Sequence, residues 1–86
     1  MPAKENRVEV EIGGEPYVLK SDAPSEYIER VAHLVNKKIK EVRTRNSRLS
    51  LLKATVVAAL NIADDYLRLK DEHEDLVKLI EAERVK

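Results

Sequence analysis

The chain has 86 residues, with sixteen Lys and Arg against sixteen Asp and Glu, so overall charge does not direct it to nucleic acid or to an anionic membrane. It contains no Cys, no Trp and no Phe, which excludes a disulfide framework and removes the side chains that bury most area. A chain this small has little core of its own, and two His are too few for a structural zinc site, so association with other copies is the expected staple.

Residues 1–6 are polar and predict a disordered N-terminus. They lack the apolar run of a leader, and the longest apolar stretch, Val56 to Leu60, is far too short to span a bilayer, so a cytoplasmic protein is expected. From Arg7 to Ile12 the chain alternates, with Val8, Val10 and Ile12 on one side and Arg7, Glu9 and Glu11 on the other, the pattern of a half-buried strand. Gly13-Gly14 suits the positive φ values of a tight hairpin turn, and Tyr17-Val18-Leu19 returns as a second strand through Lys20. Pro16 has no N–H to donate, which places this second strand at a sheet edge.

Ser21 to Ser25 reads as a turn and helix start, with Asp22 or Ser21 as cap and Pro24 in the first turn. A helix is predicted from about Pro24 to Arg43, with Ile28, Val31, Val35, Ile39 and Val42 on its buried face and Tyr27, Ala32 and Leu34 widening the stripe. Thr44 to Ser47 interrupts it, and Ser47 or Ser50 can cap a second helix. From about Leu49 to Val85 there is neither Gly nor Pro, which predicts one helix of roughly 50 Å, too long for the rest of the chain to cover. Ala59, Ile62, Tyr66, Leu69, His73, Leu76 and Ile80 alternate steps of three and four, an a/d seam over about three heptads. The expected architecture is α+β and mostly α: residues 7–58 form a head with a dimer interface, and residues 59–86 form an intermolecular coiled coil.

Three stretches together resemble the ZapA family of bacterial cell-division proteins, in its short form. They are Val10-Glu11-Ile12-Gly13-Gly14-Glu15-Pro16-Tyr17-Val18-Leu19, then Ser25-Glu26-Tyr27-Ile28 leading to Val31-Ala32 and Val35-Asn36, and Val57-Ala58-Ala59-Leu60-Asn61-Ile62-Ala63-Asp64-Asp65. The resemblance runs from about Val8 to Lys70, and beyond it the tail is similar only as a generic coiled coil. It implies a homodimer whose coiled coil can pair dimers into homotetramers. It also implies a non-enzymatic function at the division site: binding filaments of the tubulin-like GTPase FtsZ and cross-linking them. The brevity of the coil places the tetramer in question.

The residues themselves offer one strong candidate for partner binding. Between Asn36 and Arg48 lie Lys37, Lys38, Lys40, Arg43, Arg45 and Arg48 against the single acidic Glu41. Such a cluster is either a solvated helix end favoured by the helix dipole or a patch that docks an acidic filament surface. Lys37, Lys38, Arg43, Arg45 and Arg48 are the expected contacts, with Arg45 and Arg48 preferred as loop residues that can pair a carboxylate bidentately. A small dimeric nucleic-acid-binding regulator using the same segment is the rival, weakened by the lack of interleaved aromatics; a purely structural adaptor is a third.

Ala54, Ala58, Ala59 and Ala63 either supply helix propensity or let another backbone approach, and the second use makes Ala58 and Ala59 interface residues. Asn61 is either a satisfied core amide or a contact that sets register across the dimer. His73, in the seam, would make the coil sensitive to pH only if buried there. His33 follows Glu29 by one turn, which makes a surface pair and no metal site. No phosphate loop, catalytic constellation or cofactor motif is legible.

Overall fold

The computed structural model describes residues 5–84. Strands β1 (Asn6–Ile12) and β2 (Glu15–Ser21) form an antiparallel hairpin, followed by helix α1 (Ser25–Arg45) and the long helix α2 (Leu51–Arg84). The expected disordered segment falls partly on residues 1–4, which lie outside the described residues, as does the expected helix end at Val85. Asn6 is ordered, contrary to expectation. It pairs with Ser21, and its amide donates to the Ala23 carbonyl at 2.7 Å, which ties the hairpin base to the start of α1.

Gly13 and Gly14 take φ values of 64° and 87°, the left-handed geometry that matches a two-residue turn to the twist of its strands. In such a hairpin Ile12 and Glu15 form the hydrogen-bonded pair, so Pro16 opposite Glu11 falls in a pair that needs no N–H from it. The same alternation turns the Glu11 carbonyl to the free edge of β1. There the Asn36 side chain of α1 takes it: Asn36 Nδ2 donates to Glu11 O, while Asn36 Oδ1 accepts from Gly13 N at 3.0 Å. One amide thus fixes both the strand edge and the turn against the helix.

Helix α1 carries two cores along one face. Its first half buries Ile28 and Ala32 against Val8 and Val10, with Leu19 and Ala23 packed beside them. Its second half buries Ile39 and Val42 against Ala54 and Ala58 of α2, and Ile12 touches both clusters. The stripe predicted from periodicity is narrower in the fold. Val31 stays 43% exposed, and Tyr27 and Leu34 are exposed beside it, because the two-stranded sheet and α2 reach only the Ile28–Ala32–Ile39 side.

The caps differ in part from those expected. Neither Ser21 nor Asp22 caps α1. Ser21 Oγ accepts from Ala23 N within the turn, and Pro24 is the N-cap residue, its carbonyl receiving Tyr27 N and Ile28 N. Proline has no side-chain acceptor to offer, and the third amide of the helix, Tyr27 N–H, is taken by the Pro24 carbonyl in a tight i to i+3 bond instead. For α2 the cap is Ser50, whose Oγ accepts from Lys53 N at 3.2 Å.

Helix α2 is 34 residues long, about 51 Å at 1.5 Å per residue. Ala54 and Ala58 are 0% and 1% exposed, and their small side chains let the two helices approach closely. Ala58 therefore cannot serve the interface between copies expected for it. Its methyl is consumed by Ile39 and Val42 of its own chain. Ile62, one turn further, is half-buried, and every residue from Ala63 to Ala82 is exposed.

Candidate functional site

Once the cores are assigned, apolar surface is left along α2 and a charged surface around the end of α1. On α2 the face that meets α1 continues in the same phase through Ile62, Tyr66, Leu69, His73, Leu76 and Ile80. Steps of three and four return to one side of a helix, and Leu69 is left 66% exposed. A second apolar stripe lies on the side turned away from Ala54 and Ala58. It comprises Leu52, Val56, Leu60 and Leu67, all exposed, with Ala59 and Ala63 between them. Periodicity in the seam was legible in the sequence; this second stripe was not, because it is interleaved with core residues that hide its phase. Asn61 is exposed and is not the satisfied core amide considered for it.

The basic cluster of α1 is divided by the helix. Lys38 is half-buried, and its Nζ lies 2.7 Å from Asp65 Oδ2 of α2. That hydrogen bond, opposed by partial desolvation and aided by the charges of Asp65 and Glu41, raises the Lys38 pKa above its ordinary value. Lys38 is therefore engaged within the chain and is not the free contact expected of it. Arg45 occupies the last turn of α1 instead of a loop and lines a cleft with Lys38, Glu41, Asn61, Asp64 and Asp65. Arg48 is in the connection, where its backbone N–H donates to Asn46 Oδ1 at 3.2 Å, and its side chain is exposed. Lys37 lines the opposite side of α1 with Tyr27, Arg30, Val31, His33 and Leu34.

Lys40 and Arg43 lie apart from these, beside the hairpin turn. With Gly13, Asn36, Ile39, Thr44 and Leu51 they line an open groove of about 400 Å³. His33 and His73 are both exposed, and among the described residues no three potential metal ligands come together. No helix among the described residues is long and apolar enough to cross a membrane.

Known proteins match this arrangement over nearly all of its length. The family model described as Cell division protein ZapA matches residues 8–86, further along the tail than the sequence motifs reach. Cell division protein ZapA of Bacillus thuringiensis (strain Al Hakam) is 37% identical over 73 residues, covering 85% of this chain and 82% of its own. The ZapA of Geobacillus sp. (strain WCH70) is 33% identical over 81 residues, covering 94% and 93%. Among solved structures, a ZapA mutant dimer from Geobacillus stearothermophilus superposes with a TM-score of 0.73 at 31% identity, over 91% of each chain. The hairpin, the shorter helix and the long helix are thus a shared design, and this chain belongs to the ZapA family of cell-division proteins.

Proposed function

We propose that this chain is a non-enzymatic accessory of cell division that binds polymers of FtsZ and holds neighbouring protofilaments together at the cytoplasmic division site. The observation that carries this reading is the apolar seam from Tyr66 to Ile80, which the single chain leaves uncovered. Burying it against further copies gives a dimer, or a pair of dimers, with identical filament-binding surfaces at separate positions. Simultaneous engagement of two filaments then turns weak single contacts into a cross-link by effective concentration, and no chemical step is required. The dimeric state of the solved relative supports self-association, and the cationic end of α1 supports docking on an acidic protein surface.

Pelleting with GTP-assembled FtsZ separates the two halves of this reading. High-speed pelleting reports binding, and low-speed pelleting reports bundles. The native chain is expected in both pellets. A Leu69→Lys, Leu76→Lys variant is expected to keep high-speed pelleting at reduced strength and to lose low-speed pelleting. A native chain found in neither pellet contradicts the function.

A further inference from the structure

We propose that the groove between the hairpin turn and the second half of α1 binds an acidic segment of the partner filament, one that places carboxylates beside an apolar side chain. This rests on the filament-binding reading and names the surface and the chemistry through which it acts. The starting point is how helical geometry sorts the cations. Lys40 and Arg43, three residues apart, share the flank that faces the hairpin, whereas Lys38 and Arg45, seven apart, share the flank that faces α2.

The α2 flank has little positive charge to offer. Its cleft sets Lys38 and Arg45 against Glu41, Asp64 and Asp65, two cations facing three carboxylates, and the shortest contact, Lys38 to Asp65, is already made. The hairpin flank is the reverse. No carboxylate lines its groove, and among the described residues neither Lys40 nor Arg43 makes an ion pair.

The remaining polar groups of the groove define what can enter. Both ends of the Asn36 amide are spent on Glu11 O and Gly13 N, and the Thr44 hydroxyl donates to the Lys40 carbonyl at 2.8 Å. The two cationic side chains are therefore the side-chain donors left for a ligand, and the ligand atoms that meet them are acceptors. A carboxylate satisfies both, with Arg43 able to take it bidentately. Between them the floor is apolar: Ile39 is buried, Leu51 is half-buried, and Gly13 lies so close to Leu51 that a Cβ there would stand 3.3 Å from Leu51 Cδ1. An apolar side chain next to the acidic group would cover this floor. The groove is open along one side, which suits a chain segment crossing it better than an enclosed small molecule.

The test is pelleting of the full-length protein with GTP-assembled FtsZ across concentration, comparing K40Q/R43Q and the charge-reversed K40E/R43E with K38Q/R45Q on the other flank. Circular dichroism and sedimentation of each variant alone establish that fold and self-association are intact. The expected result is affinity weakened by about tenfold or more for the hairpin-flank pair, and changed by less than about threefold for the α2-flank pair. Native-level pelleting by folded K40E/R43E overturns the groove and leaves filament binding standing. Absence of pelleting by the native chain overturns both. Retention of duplex DNA by the native chain at physiological salt, lost in K40Q/R43Q, would show that the groove takes phosphate, and would overturn the acidic-segment assignment.

Discussion

The first turns of α2 and its last turns carry the same apolar phase but differ in what lies over it. At Ala54 and Ala58 the face is made of methyl groups, and α1 comes close enough to exclude water from both. From Tyr66 onward the same face carries Leu69, Leu76 and Ile80, larger side chains with nothing of their own chain above them. Small residues suit a contact already closed within the protomer, and large ones suit a contact still to be made. Along this single helix burial gives way to exposure near Ile62, which is where the proposed self-association would take over from folding.

The largest effect is expected on the folded side of that boundary. Ile39→Ala removes a side chain buried between α1 and α2 and is expected to cost roughly 2–5 kcal/mol, read as a lower urea midpoint at fixed protein concentration. Leu69→Ala acts on the other side. It should leave the head fold intact while weakening self-association by about 1.5–3 kcal/mol for each seam side chain withdrawn, measured by sedimentation equilibrium. If Leu69→Ala instead unfolds the head, the two ends of α2 are not separate in the way described.

Smaller perturbations probe the contacts that hold the head to its helices. Asn36→Ala leaves the Glu11 carbonyl and the Gly13 amide to solvent, and a loss of about 0.5–1.5 kcal/mol is expected, with faster amide exchange at Gly13. The smallest effect belongs to Lys38. Because its folded pKa is raised, mainly by the Asp65 hydrogen bond, its contribution is fully present below the ordinary lysine value and is lost as pH rises through the folded value. Stability should therefore show no Lys38-dependent change near neutrality. A Lys38→Met variant should differ from the native chain by less under strongly alkaline conditions than at pH 7.

Much of the fold was legible because the signals are local. Alternation at Val8, Val10 and Ile12, the glycine pair, the break near Asn46 and the Ser50 cap each depend on neighbours in sequence, and the elements fall within a few residues of their predicted bounds. What was not legible depends on which element covers a face. Periodicity placed Val31 with Ile28 and Ile39, but only the reach of a two-stranded sheet decides that Val31 is left exposed. Ala58 carries the same small-residue signal whether its neighbour is α1 or another copy, and the fold assigns it to α1. In the basic segment, composition gave one patch where the helix makes two flanks. The Asp65 that neutralises Lys38 lies 27 residues away, beyond any local pattern. Asn36 was visible only as part of a family motif, because its role at the Glu11 edge requires knowing where the hairpin packs.

Self-association through α2 is most directly tested by sedimentation equilibrium of the native chain from nanomolar to micromolar concentration, followed in parallel by far-ultraviolet circular dichroism. The account predicts a dimer or larger species at micromolar concentration, with helix content falling as dilution releases the distal half of α2. A monomer at micromolar concentration that keeps the full helix, with Leu69, Leu76 and Ile80 in water, is incompatible with it.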